Sequence, residues 1–292
     1  MEQGRIVKGV GGFFSVLLAD SSVVICKARG RFRNERVVPL VGDLAEISMP
    51  ESGYAAIDKL LPRKNALLRP PVANIDQLVI VVAASAPKPD WLLVDKLILQ
   101  AAQLRVAPLL VLNKLDECDQ SVVDTFLEDY SAAFSPLLVS SKSGEGLDEL
   151  SERLRERISC FAGQSAVGKS SLLNALFPEL SLETGGLAKK TARGRHTTRR
   201  AELWPLLGGA VLDTPGFSLL EIEALSQREL NESYPEFGSA PERCRFAGCR
   251  HLSEPDCAVK ELLDDGGLSP RRYARYAEIS EEIEQRRKHR CD

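Results

Sequence analysis

Apolar and polar positions alternate over short distances in the first sixty or so residues. The runs Ile6–Val10, Phe13–Leu17 and Val23–Cys26 are separated by Gly11-Gly12 and Asp20-Ser21-Ser22; Val37–Val41 and Leu44–Ile47 follow, joined by Gly42-Asp43. Five short β-rich runs at this spacing predict a small closed barrel of the OB type. A proline- and base-containing linker, Leu61–Asn65, comes next. From about residue 72 the alternation gives way to continuous apolar runs, Leu78–Ala83, Pro108–Leu112, Pro136–Ser140, Ile158–Ala162 and Ala210–Asp213, which suit strands buried on both faces of a parallel sheet. Helix-length segments lie between them, Trp91–Leu104, Ser121–Phe134, Leu147–Arg157 and Lys169–Phe177. Strand and helix in alternation predict a doubly wound α/β domain. After about residue 235 the sheet pattern stops, and a Cys/His-rich stretch (Cys244–Cys257) leads into a helix-like tail, Arg271–Arg290. The expected division is a barrel over 1–66, an α/β domain over 67–235 and a C-terminal module over 236–292.

Composition narrows this picture. Of 292 residues 44% are apolar and 27% charged, which excludes a disordered, collagen-like or low-complexity chain. With 38 Lys+Arg against 41 Asp+Glu the net charge is −3, so the molecule as a whole is not a polycation. Basic residues are nevertheless clustered. Lys27, Arg29, Arg31, Arg33 and Arg36 have only Glu35 among them; Lys189, Lys190, Arg193, Arg195, Arg199 and Arg200 have no acid between; Arg286, Arg287, Lys288 and Arg290 end the tail. Such patches predict contact with structured RNA through its phosphates. Aromatic residues make up only 6%, and no base-stacking platform is evident. The longest apolar run is too short to cross a bilayer and the N-terminus shows no apolar leader, so a cytoplasmic protein with no membrane partner is expected.

Gly163-Gln164-Ser165-Ala166-Val167-Gly168-Lys169-Ser170 fits G-x-x-x-x-G-K-[ST], after a strand-like run and before an amphipathic one that begins at Ser171. Glycines let successive backbone N–H groups turn toward phosphate oxygens, and the helix N-terminus adds its dipole. Lys169 is placed to reach the β- and γ-phosphates, and the Ser170 hydroxyl to ligate Mg²⁺. Asn113-Lys114-Leu115-Asp116 follows another strand. Guanine displays N1–H and N2–H₂ donors side by side, and the Asp116 carboxylate can accept from both; adenine offers an acceptor there and is disfavoured. Asn113 would hold the loop, Lys114 would lie along the ring, and a backbone N–H of Ser140-Ser141-Lys142 would meet guanine O6. Asp213-Thr214-Pro215-Gly216 closes a further strand, with Asp213 toward Mg²⁺ and the Gly216 N–H toward the γ-phosphate. Thr198, or its neighbour Thr197, supplies a second hydroxyl for the metal.

The order of these pieces is rotated. An ordinary small GTPase begins with the phosphate loop; here the base reader (113–116) and residues 140–142 precede it. Joining nearby termini and cutting elsewhere preserves a fold. In this order, with a barrel ahead and a Cys/His module behind, the chain resembles the circularly permuted small ribosomal subunit biogenesis GTPase A family of bacteria. The resemblance rests on Asn113–Asp116, Gly163–Ser171, Gly194-Arg195-His196-Thr197-Thr198, Asp213–Phe217 and Cys244–Cys257. It implies GTP/GDP as ligand, binding to the 30S ribosomal subunit and its 16S rRNA alongside other assembly factors, ribosome-stimulated GTP hydrolysis and a part in late small-subunit maturation. A monomer is expected. Ala166 stands where the family usually has Gly, and Ser141 where many GTPases have Ala.

Many GTPases orient the attacking water with a Gln after D-x-x-G; here Phe217 stands there and cannot hydrogen-bond water. Slow turnover alone is therefore expected, with His196 the candidate catalytic residue within the chain. Cys244-x₄-Cys249-x-His251-x₅-Cys257 supplies three thiolates and an imidazole, a complete tetrahedral set for one structural Zn²⁺ with no position open for catalysis. Two other readings stay open: an rRNA-binding factor that uses GTP as a clip without significant turnover, and a related permuted GTPase acting on the large subunit.

Overall fold

The computed structural model describes residues 2–34, 37–50, 53–68, 70–180, 182, 202–213 and 225–291. The first unit is a barrel of β1 (Glu2–Val10), β2 (Phe13–Leu18), β3 (Val23–Ala28), β4 (Leu44–Ser48) and β5 (Ala55–Leu60), with a one-turn helix α1 (Arg31–Asn34) between β3 and β4. It closes because β1 pairs with both β2 and β4, while β5 pairs with β3 and β4. Alternation along each strand sends Ile6, Val16, Cys26, Ala45, Ile47 and Ile57 into a common apolar centre.

Two expectations for this region need correction. Residues 37–41 do not form a strand: only Val41 makes a bridge, to Val72. Pro39 has no N–H to give a ladder, and the Leu40 N–H donates to the Asp43 carboxylate instead (2.7 Å). The fifth strand is Ala55–Leu60, whose Asp58 and Lys59 obscured its alternation. The expected linker is also no free tether. Arg63 forms a two-pronged pair with fully buried Asp43 (2.6 and 2.8 Å), and the Asn65 amide brackets the Ile75 backbone at both its N–H and its C=O. A hairpin of β6 (Ala66–Leu68) and β7 (Pro71–Ala73) follows. Its Leu67 and Val72 pack with Val7 and Val41 of the barrel in the same core as the α/β domain.

That domain holds five parallel strands, β8 (Gln77–Ala83), β9 (Ala107–Asn113), β10 (Leu137–Leu138), β11 (Ile158–Ala162) and β13 (Gly209–Asp213), with β12 (Glu202–Leu206) antiparallel to β13. The order is β10-β9-β8-β11-β13-β12, and β12 meets β1 at Lys8 and Glu202, joining sheet and barrel. All seven residues of β8 are buried, as a strand covered on both faces requires. Helices α2 (Trp91–Leu104) and α3 (Gln120–Tyr130) cover one face. The other is covered by α4 (Leu147–Leu154) and α5 (Lys169–Leu176). A tight turn at residues 155–157, with Glu156 at φ 57°, carries α4 straight into β11. The expected run over 136–140 shortens to two strand residues, and β12, with Pro205 in an edge position, was not foreseen.

The C-terminal module contains α6 (Gln227–Glu232), α7 (Ala258–Asp264) and α8 (Pro270–Cys291). It shares an apolar core with α2 through Leu99. It also docks through buried charges. Arg272 of α8 meets Asp95 of α2 (2.6 Å) and Glu236 (2.7 Å); Arg275 meets Asp95 (2.7 Å) and Asp129 of α3 (3.0 Å); the Tyr130 hydroxyl donates to Asp95 (2.6 Å). Burial alone would push the Arg272 guanidinium down, yet Asp95 and Glu236 hold it above its ordinary value. A buried pair adds little beyond what apolar packing would, but removing one partner strands a charge. Asp95→Ala is therefore expected to lower stability by about 3–5 kcal/mol, read as a fall in urea midpoint. The exposed pair Arg228–Glu232 is the control: Arg228→Ala should leave the urea midpoint essentially where it is.

Candidate nucleotide site and metal centre

The carboxyl ends of β8 and β11 lie side by side, the crevice where open α/β sheets take ligands. Residues 163–168 leave β11 there and enter α5. The loop presses close to the sheet: a Cβ on Gly163 (φ 134°) would fall 2.2 Å from the Val81 carbonyl oxygen, and one on Gly168 (φ 95°) 2.5 Å from the Asn113 amide nitrogen. Both positions need glycine. Val167 is buried in the core, while Ser165 and Ala166 are exposed. Ala166 sits at φ 65°, a left-handed conformation costing a non-glycine residue roughly 1–2 kcal/mol. The Lys169 ammonium folds over the loop and donates to the carbonyls of Gly163 (2.9 Å) and Gln164 (2.7 Å). Ser170 and Ser171 lie in the first turn of α5.

Asn113, fully buried at the end of β9, joins three segments. Its amide donates to the Val167 carbonyl (3.0 Å), and its oxygen accepts from the Ser141 N–H (3.1 Å). Lys114, at φ 72°, donates from its ammonium to the carbonyls of Ala166 (2.9 Å) and Ala86. The Leu115 N–H donates to Val139, fixing the two loops against each other. The Asp116 carboxylate accepts from the Ser140 hydroxyl (2.6 Å) and pairs with Lys142 (3.2 Å). Those contacts, Ser140 foremost, hold the Asp116 carboxyl below the usual carboxylate range. Ser140 in turn accepts from the N–H groups of Lys142 and Ser143. Of the backbone N–H groups of residues 140–142, one of which was expected to meet guanine O6, that of Ser141 here faces Asn113.

Sequence reasoning overlooked one wall of the site. Gln164 accepts from the Asp90 N–H (3.0 Å) and donates to the Lys88 carbonyl (3.3 Å), tying the phosphate loop to the N-terminus of α2. Asp90 caps that helix, and Pro87 and Pro89 flank the segment; these were the available signals. His196, Thr197, Thr198, Thr214, Gly216 and Phe217 lie outside the described residues, as does the Asp213 side chain.

In the C-terminal module the ligand atoms of Cys244, Cys249, His251 and Cys257 all lie within 4.8 Å of one another. The His251 Nδ1 faces the sulfurs of Cys244 (3.5 Å) and Cys257 (3.4 Å). Burial above all, with Cys257 and Cys244 adding to it, pushes the Cys249 thiol up to about 12, and burial lowers the His251 imidazole. Three sulfurs and one nitrogen at this spacing fit a tetrahedral zinc ion, whose charge would offset that of thiolates. On its far side His251 Nε2 meets the Asn231 amide (3.0 Å), the outer contact that orients a ligating imidazole.

A family profile described as "RsgA GTPase" matches residues 60–223, and one described as "RsgA N-terminal domain" matches residues 3–57. The "Small ribosomal subunit biogenesis GTPase RsgA" of Caldanaerobacter subterraneus subsp. tengcongensis is 43% identical over 290 residues, 99% of this chain and 98% of that protein. Its namesake in Bacillus subtilis is 39% identical over 98% of this chain and 99% of its own length. Among solved structures, YjeQ from Thermotoga maritima superposes with a TM-score of 0.84 at 35% identity, covering 97% of this chain and 98% of that one. YloQ, titled a circularly permuted GTPase, superposes at 0.81 and 35% identity, covering 98% and 96%. These matches run over nearly the whole chain, and it belongs to the RsgA family of circularly permuted GTPases.

Proposed function

We propose that the chain is a GTP hydrolase that binds the 30S ribosomal subunit through its 16S rRNA, turns over faster there and assists late small-subunit maturation in the bacterial cytoplasm. The observation that carries the nucleotide half of this reading is the Asn113 amide, bonded at once to the phosphate loop and to residues 140–142. The partner half is supported by the names of the relatives and by the basic clusters of the sequence.

In this reading GTP lies between residues 163–171 and 113–116. Backbone N–H groups of residues 164–170 and the Lys169 ammonium hold the phosphates; Lys169 exchanges its present carbonyl partners for phosphate oxygens. Asp116, ionised and oriented by Ser140, accepts from guanine N1–H and N2–H₂. Ser170, Thr198 and Asp213 would hold Mg²⁺, which supplies charge neutralisation between the β- and γ-phosphates. The Gly216 N–H reads the γ-phosphate, and His196 positions the attacking water in place of the missing Gln. Zinc, held by Cys244, Cys249, His251 and Cys257, is structural.

Hydrolysis measured with purified 30S, with 50S and without ribosomes tests the assignment. Turnover should rise at least about tenfold with 30S, against the roughly 10³–10⁵ that groups supplied in trans give other GTPases, and not with 50S. Equal rates in all three arms would leave only a GTP-clipped binder, and a rise with 50S alone would move the reaction to the large subunit. His196→Ala should lower the stimulated rate by about 10²-fold with GTP affinity intact; equal loss of both would remove the catalytic role. Asp116→Asn should weaken GTP binding by about 10- to 100-fold, one charge-assisted hydrogen bond, and improve binding of xanthosine triphosphate, whose C2 oxygen can accept from the new amide. The purified chain should carry one zinc by elemental analysis, and Cys249→Ser should lose it together with a lower urea midpoint.

A further inference from the structure

Helix α2 is fastened to the phosphate loop at its start and to the C-terminal module along its flank. The Lys114 ammonium bridges the carbonyls of Ala86 and Ala166. The Gln164 side chain accepts from the Asp90 N–H (3.0 Å) and donates to the Lys88 carbonyl (3.3 Å). Asp90 itself caps the helix by accepting from the Leu93 N–H (2.9 Å). Trp91, the first helical residue, lies against Phe126 and Tyr130 of α3, and the Tyr130 hydroxyl donates to Asp95 one turn on. Gln164 is thus held twice: its side chain grips the start of α2, while its carbonyl accepts from the Lys169 ammonium (2.7 Å).

The flank of α2 is incompletely satisfied. Asp95 takes Arg272 and Arg275, and Lys96 pairs with Glu282 of α8 (2.6 Å). Among the described residues, however, buried atoms in and beside this seam have no hydrogen-bond partner: the Tyr234 hydroxyl, Glu236 Oε2, Arg272 Nη2 and both ends of the Gln100 amide. Gln100 is 3% exposed and lies one turn after Lys96, on the same face of α2. Hydrogen bonds left unmade by buried polar groups cost stability. The groups of the seam therefore do not lock this one seating, and packed interfaces shift between discrete arrangements rather than deform continuously.

We propose that Gln164 is a positioning residue through which occupancy of the phosphate loop sets the seating of the C-terminal module, with α2 as the lever. An incoming phosphate draws the Lys169 ammonium off the carbonyls of Gly163 and Gln164. Residue 164 then settles on new partners, and its side-chain amide carries the Asp90 end of α2 with it. A packed helix passes such a displacement along its length, so it arrives at Asp95, Lys96 and Gln100. The polar groups left unpaired there gain partners in the second seating. This coupling rests on the proposed nucleotide site. The backbone from β13 to α6, residues 214–224, is a second route between the same two places, and the test separates the two.

The test follows backbone amide exchange in the full chain, without nucleotide and with GDP or GTPγS at concentrations that saturate each variant. In the parent, nucleotide should protect residues 163–176 and change exchange in α8 by at least about fivefold, the lower end of ordinary coupling between sites. Gln164→Met keeps the length of the side chain and removes both of its hydrogen bonds. In that variant residues 163–176 should still be protected while the response of α8 falls below about twofold. Gln100→Leu, which replaces the unpaired amide at the seam by an apolar group and leaves the phosphate loop untouched, should suppress the response of α8 in the same way. The lever is overturned if the parent protects residues 163–176 with no change in α8. It is overturned equally if Gln164→Met responds in α8 as the parent does, since the coupling then runs through residues 214–224, or if Gln100→Leu responds in full. A parent in which no nucleotide protects residues 163–176 removes the nucleotide site itself, and the lever with it.

Discussion

A buried amide at the end of a strand must find partners on every side, because desolvating it unpaired costs more than any single bond returns. Asn113 finds one in the phosphate loop and one in the loop after β10. Lys114 adds a second clasp, reaching Ala166 and Ala86 from a left-handed backbone. Gly168 is a glycine because Asn113 occupies the space its Cβ would need. The loops of residues 113–116 and 163–168 are therefore not two segments that happen to be near each other. They share one satisfied polar centre, and rotation of the chain order leaves that centre intact.

Helix α2 extends this connection away from the nucleotide. Its capping residue, Asp90, is held by Gln164 of the phosphate loop. One turn on, Asp95 is buried between Arg272 and Arg275 of the C-terminal helix, and Leu99 enters the core around the Cys/His cluster. The loop of residues 163–168 and the module with the Cys/His cluster thus both rest on the same helix. The barrel is attached differently, by apolar packing of Val7 and Val41 on Leu67 and Val72 and by the Arg63–Asp43 pair.

Much of this was legible in the chain. The span of α2 is the one its apolar spacing predicts, and β8, β9 and β11 announce themselves as continuous runs because both of their faces are covered. That Cys244, Cys249, His251 and Cys257 would cluster could be read from spacing alone. What escaped had a local pattern that contradicted its place. In β5 Asp58 and Lys59 occupy strand positions that arginines and solvent satisfy, and β12 carries Pro205, tolerated because β1 pairs with that strand at Glu202 and not beyond it. Arg272, Arg275, Asp95 and Asp129 look like surface residues in sequence; partners more than a hundred positions away allow them inside.

The turn at residues 155–157 stands where the two ends of an unrotated domain would have been sewn together. It is three residues long, between Leu154 and Ile158. Residues 113–116 and 140–142, proposed for guanine, are therefore upstream of it and residues 163–171, proposed for phosphate, are downstream, with almost no slack in between. A chain growing from its N-terminus therefore contains Asn113 and Asp116 before Gly163 has been made, the reverse of the order in an unrotated domain.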